Sequence, residues 1–142
     1  MTVSLWLVRH GETAWGAAGR LTGWTDIELS DVGRRQALAL RARLAGQTFA
    51  GTWSSDLRRA AETARLAYGA ARADQRLREL DFGILEGRRW AELSAADQAR
   101  LIRFEGFVAP GGESVQAMRA RILDFVADLP PGDPRSRLPV AL

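Results

Sequence analysis

The residues Arg9-His10-Gly11-Glu12-Thr13 bring together the groups needed to attack phosphorus. An imidazole attacks through one nitrogen lone pair, so its ring must be neutral and its other nitrogen held by a hydrogen bond that fixes the tautomer. Gly11 lets backbone approach closely and offers a group, its N–H, for that purpose. Arg9 adds a permanent guanidinium whose fork matches phosphate oxygens. Taken alone, a His at this point reads more readily as a strand terminator satisfied by backbone.

The elements around it argue for more. Residues 4–10 (SLWLVRH) form a buried-strand pattern, apolar and then abruptly polar. In an open α/β sheet, sites form at the C-terminal ends of strands, which is where His10 falls. Residues 11–29, rich in Gly, Thr and Trp, read as a long functional loop. Ser30 is the expected N-cap of a helix over 31–44, with Val32, Ala37, Leu40 and Leu44 on its apolar face. A short strand is expected over 52–54 and a helix over 57–68, stopped by Gly69. Residues 76–87 read as irregular and 90–104 as one helix, followed by a Pro-Gly-Gly turn at 110–112. The last helix is expected over 113–129, with Val115, Met118, Ile122, Phe125 and Leu129 on one face. Alternating strands and helices predict a three-layer α/β/α sandwich with a mainly parallel sheet, in one domain spanning 1–142.

Composition excludes several chemistries. The 142 residues contain no cysteine, and hence no thiolate nucleophile or Cys-based metal site. All twenty basic residues are Arg, and there is neither Lys nor Asn, a usage that GC-rich coding produces. A Walker P-loop needs Lys, and a zinc hydrolase needs several His where this chain has one. The net charge of +3 comes from arginines interspersed with seventeen acids, not from a basic block, so no nucleic-acid partner is expected. No stretch approaches membrane-spanning length, which predicts no membrane partner and a cytoplasmic location.

Further motifs follow in order. After Arg9 to Thr13 come Leu21-Thr22-Gly23-Trp24, Leu29-Ser30-Asp31-Val32-Gly33 with Gln36-Ala37, and Ser55-Asp56-Leu57-Arg58-Arg59-Ala60 with Thr63-Ala64. Leu77-Arg78-Glu79-Leu80-Asp81-Phe82-Gly83 with Glu86-Gly87, and Pro110-Gly111-Gly112-Glu113-Ser114, complete the series. Together they resemble the histidine phosphatase superfamily, which includes cofactor-dependent phosphoglycerate mutases and many phosphomonoesterases. The resemblance implies a phosphoglycerate mutase-like fold over about residues 4–129. It implies that His10 accepts the phosphoryl group as a phosphohistidine, that Arg9 and Arg59 bind it, and that Glu79 protonates the leaving alcohol before water cleaves the intermediate. Thr13, Thr22 and Gly23 are expected to line the substrate pocket, and Trp15 and Trp24 to pin the loop. Glu86 stands as a structural partner of Glu79. No metal and no cofactor are implied.

The chain departs from the family twice. Gly16 stands where the family usually carries Asn, and the His of a C-terminal His-Gly pair has no counterpart, since His10 is the single His. Residues 138–142 resemble the first part of the strand that precedes that pair, so the chain reads as truncated, with its C-terminal strand incomplete. The strand edge so exposed would favour association into a homodimer. The segment 88–109 is shorter than the corresponding mutase insertion, and Glu79-Leu80-Asp81-Phe82-Gly83 replaces a more basic mutase sequence. The expected activity is therefore hydrolysis of a small phosphorylated metabolite. Phosphoglycerate mutase is the alternative, and an inactive phosphate-binding fragment, lacking the second His, is a further one.

Overall fold

The computed structural model describes residues 4–130 and 137–141, the latter as backbone only. Nine elements organise it: β1 (Ser4–Val8), α1 (Ala14–Ala17), α2 (Asp31–Leu44), β2 (Trp53–Ser54), α3 (Arg58–Ala67), β3 (Arg72–Ala73), α4 (Ala95–Arg103), α5 (Val115–Ala127) and β4 (Arg137–Ala141). The strands form one sheet in the order β1-β4-β2-β3, with every neighbouring pair parallel. This is the α/β class expected. The strand expected from residues 138–142 is present as β4, inserted between β1 and β2, with Ser4 opposite Arg137 and Val8 opposite Ala141. Residue 142 lies outside the described residues.

Helix boundaries follow their caps. Ser30 accepts the Gly33 N–H at 3.1 Å and starts α2, and Ser114 accepts the Ala117 N–H at 3.0 Å and starts α5. The helix expected over 90–104 is instead two pieces. Ser94 accepts the Asp97 N–H at 3.1 Å, which caps α4 and leaves only a single 3-10 turn over Trp90–Glu92 before it. A competing cap inside an apolar-periodic stretch thus resets the helix start. Short β3 and α1 were not anticipated, because two and four residues carry too little pattern to read.

Helices α2 and α3 pack on one another and cover one face of the sheet, where Trp6, Phe49 and Tyr68 stack edge-to-face. Most of their buried residues are small: Gly33 and Ala37 in α2, and Ala60, Thr63, Ala64 and Ala67 in α3. Val32, expected on the buried face of α2, is 40% exposed. The buried row is Gly33, Ala37 and Leu44, and one residue's rotation turns Val32 outward. On the other face α5 seats Phe125 against Trp53. The expectation of a buried β1 is not met, since Trp6 and Val8 are only half-buried and the other three residues are exposed. Leu5 and Leu7 point away from α2 and α3 and are 41% and 67% exposed, Leu7 because it borders an open cavity rather than a packed layer.

The loop after β1 is seated by a glycine contact. A Cβ on Gly33 would collide with the Glu12 carbonyl, and one on Gly11 with the Gly33 carbonyl, so backbone meets backbone without side chains between. Overpacking of that kind costs about 1–3 kcal/mol. Gly33→Ala is therefore expected to lose about that much stability in urea unfolding. Gly16→Ala, whose Cβ would meet only the Thr13 hydroxyl at 3.2 Å, is expected to change by less than about 1 kcal/mol. Equal stability of Gly33→Ala and the parent chain would contradict the close approach.

Candidate active site

A cavity of about 390 Å³ opens at the C-terminal end of β1. Arg9, His10, Arg59 and Glu79 all line it, although they come from three separate segments of the chain. Thr13, Thr22 and Gly23 do not line this cavity. Thr13 is buried and caps α1 by accepting the Gly16 N–H at 3.0 Å, and it borders a second cavity of about 340 Å³ on the other flank of His10. The Thr22 hydroxyl donates to the Arg20 carbonyl at 3.3 Å.

His10 has a defined tautomer. Its Nδ1 lies 2.7 Å from the Gly11 carbonyl oxygen. A carbonyl only accepts, so Nδ1 carries the proton and Nε2 keeps its lone pair. This corrects the expectation that the Gly11 N–H holds the ring. An N–H donor would have claimed the Nδ1 lone pair and moved the proton onto Nε2. The Gly11 N–H instead donates to the Thr63 hydroxyl at 3.0 Å, and that hydroxyl donates to the Arg59 carbonyl at 2.6 Å. Thr63 therefore ties the loop bearing His10 to the helix bearing Arg59. Burial pushes the His10 pKa below the ordinary imidazole value, Arg59 and Arg9 push it the same way, and the Gly11 hydrogen bond and Glu79 oppose them.

Arg59 is 2% exposed, yet no carboxylate bridges it among the described residues. Its two terminal nitrogens donate to the carbonyls of Gly23 at 2.7 Å and Thr25 at 3.1 Å. Those carbonyls are aimed by Glu86, which accepts the N–H groups of Trp24 and Thr25, each at 2.6 Å, together with the Thr25 hydroxyl. Gly23 is buried under this clamp, where a Cβ would strike Glu86 and the Leu80 carbonyl. Glu86 thus supports Arg59 through the loop rather than partnering Glu79. Arg9 is exposed and makes no ion pair among the described residues.

Glu79 is positioned by its backbone. Its carbonyl accepts from Trp24 Nε1 and from Arg121 Nη2, each at 2.9 Å, while its Oε1 accepts the Leu80 N–H at 2.8 Å. Trp24 does pin a segment, as expected. Arg121 was missed, although it lies on the inward stripe of α5, between Met118 and Phe125, where a charged residue calls for a buried partner. It donates to the carbonyls of Arg76 and Arg78 at 2.7 and 2.6 Å and pairs with Glu113. Thr63 and Glu86 were visible only as motif members. A neutral imidazole with a free lone pair, two guanidinium groups without carboxylates and a carboxyl at the same cavity can together receive and transfer an anionic group.

Comparisons with known proteins agree with this chemistry. The family model described as the histidine phosphatase superfamily (branch 1) matches residues 5–141. The Yersinia pestis (strain Pestoides F) protein named "Probable phosphoglycerate mutase GpmB" is 36% identical, over 92% of this chain and 66% of its own length. This chain thus spans just under two thirds of the curated relatives it matches. A crystal structure of phosphoglycerate mutase from Thermus thermophilus superposes with a TM-score of 0.85 at 43% identity, covering 96% of this chain and 75% of that one. An Escherichia coli K-12 MG1655 protein proposed to be an alpha-ribazole-5'-P phosphatase gives a TM-score of 0.84 at 30% identity, covering 99% and 73%. No helix among the described residues is long and apolar enough to cross a membrane.

His10 is the single His of the chain, so its ring protons titrate alone in an NMR spectrum. The midpoint is expected below the ordinary value of about 6.5. Arg9→Gln should raise it and Glu79→Gln lower it, since Arg9 repels the imidazolium and Glu79 attracts it. Because the folded ring resists protonation, stability falls as pH drops from about 6.5 toward the folded midpoint. A midpoint above 7 would contradict this environment.

Proposed function

This chain belongs to the histidine phosphatase superfamily, and from that premise we propose that it hydrolyses a small phosphomonoester through a phosphohistidine on His10. The observation that carries this reading is the pairing of His10 and Arg59 at one cavity: a tautomer that leaves Nε2 its lone pair beside a buried guanidinium that no carboxylate bridges among the described residues. Arg9 and Arg59 bind the phosphoryl oxygens and offset the charge they gain in the transition state. Nε2 bonds to phosphorus as the ester P–O bond breaks, and Glu79 gives its proton to the departing alkoxide. Glu79 then accepts a proton from water as that water cleaves the N–P bond, which releases phosphate and returns both groups to their starting states. The fixed Nδ1–H bond stabilises the ring while it carries the phosphoryl group.

Hydrolysis is favoured over phosphate return because the cavity is open beside Glu79, which is itself exposed, so water reaches the phosphoryl group. The cytoplasm, where phosphorylated metabolites are held, is the setting the reading implies.

Incubation with a labelled phosphomonoester is expected to leave acid-labile, base-stable label on His10 and to release phosphate. Glu79→Gln should slow esters of poor leaving groups by about 10²–10⁴-fold, and activated aryl phosphates far less. Label on Ser or Thr, its persistence in His10→Ala, or equal losses across the leaving groups would overturn the assignment. Transfer of label to a second phosphate acceptor, in preference to water, would favour a mutase.

A further inference from the structure

A third guanidinium lines the cavity. Arg78 sits with Arg9 and Arg59 around the same space, and its charge would be available to a second anionic group of a substrate. It is not free. Asp56 takes it in a two-pronged pair, with Nε to Oδ1 at 2.7 Å and Nη2 to Oδ2 at 2.5 Å, and the Trp24 ring lies against it with 4.7 Å from guanidinium carbon to ring centroid. The Arg78 guanidinium holds the Asp56 carboxyl below the usual carboxylate range, so the pair stays charged on both sides and neutral in sum. The neighbouring Arg121 is spent on Glu113 and three carbonyls and does not line the cavity.

Among the described residues the remaining wall carries no further charge: it is Ser55 with the apolar Leu7, Val8, Ala60, Leu77, Met118 and Ile122. On the other flank of His10, the second cavity is lined by Glu12 and Gln36 and, among the described residues, by no cation beyond the shared Arg9. A phosphoryl group bound at His10 engages Arg9 and Arg59. A carboxylate or second phosphate on the same substrate would then meet a neutralised arginine, Ser55 and apolar side chains on one flank and no further described cation on the other.

Resting on the phosphomonoesterase reading, we propose that Asp56 is a specificity-determining residue. By neutralising Arg78, it restricts the site to phosphomonoesters whose remainder is uncharged. The competing account is that the Asp56–Arg78 pair only fixes the backbone before Glu79, in which case its loss would harm all ligands alike.

Glycerol 3-phosphate and 3-phosphoglycerate test this directly, because they share a three-carbon skeleton and differ in a hydroxymethyl against a carboxylate. Calorimetric affinities of the 142-residue chain are expected to favour glycerol 3-phosphate by tenfold or more. Asp56→Asn frees Arg78 and should shift the ratio toward 3-phosphoglycerate by roughly tenfold to a hundredfold, the value of a new hydrogen bond to a charged group. The double variant Asp56→Asn/Arg78→Gln removes both charges and should keep the parent ratio, whereas Arg78→Gln alone leaves the Asp56 carboxylate unpaired and should shift the ratio further toward glycerol 3-phosphate. Equal affinity of the parent chain for both ligands would overturn the proposal without any variant. So would an Asp56→Asn chain that loses affinity for both in proportion. Phosphohistidine formation without this selectivity sinks the inference alone, and selectivity without phosphohistidine sinks the hydrolase reading alone. Failure of both ligands to bind the folded chain sinks both.

Discussion

A buried guanidinium that no carboxylate bridges among the described residues is the constraint around which this structure is arranged. Removing a charge from water costs several kcal/mol unless hydrogen bonds and an opposite charge replace the lost hydration. Arg59 has the hydrogen bonds, from Gly23 and Thr25, but no bridging carboxylate among the described residues. Backbone carbonyls satisfy its geometry without cancelling its charge. The guanidinium has five N–H groups, so some remain for the cavity after two are taken. The fold therefore fixes a guanidinium in place with no bridging carboxylate among the described residues, while Glu79, Asp26 and Glu86 act on it from a distance.

The neighbouring residues make sense as consequences. Carbonyls can hold Arg59 only if their loop is rigid, and Glu86 makes it so by gathering the N–H groups of Trp24 and Thr25. The same Trp24 reaches Glu79 through its indole N–H, and Arg121 holds that carbonyl from the side of α5. Thr63 carries the connection to His10, since its hydroxyl bonds both the Arg59 carbonyl and the Gly11 N–H. The Arg59 charge then acts back on the imidazole and helps keep it neutral. Imidazole, guanidinium and carboxyl are thus positioned by one linked set of hydrogen bonds rather than by three separate ones.

Much of this was legible in the sequence, and the reasons differ by residue. Ser30 and Ser114 announced their helices because a cap is a local event, written within four residues. Ser94 did the same for α4 but was overlooked inside a longer apolar period. His10, Arg9, Arg59 and Glu79 stood out through ordered motifs, and all four meet at one cavity. The direction of the His10 hydrogen bond was misjudged, because residue type cannot say whether Gly11 turns its N–H or its carbonyl to the ring. The motifs place Thr13 and Gly23 at the substrate pocket, and in the structure Thr13 caps α1 and borders the second cavity beside His10, while Gly23 lies buried with its carbonyl on Arg59. Long-range supports such as Glu86, Arg121 and Thr63 join residues some 40 to 60 positions apart. Only the folded chain brings them together.

Urea unfolding with and without inorganic phosphate tests the central claim most directly, since it reads the fixed charge without requiring turnover. Phosphate at a hundred times its Kd should stabilise the parent chain by about 2.7 kcal/mol. Arg59→Met should unfold cooperatively but gain almost nothing from phosphate. Glu86→Gln, which weakens the carbonyl clamp from a distance, should lose part of the gain. Stabilisation of Arg59→Met by phosphate as large as that of the parent chain would contradict the account.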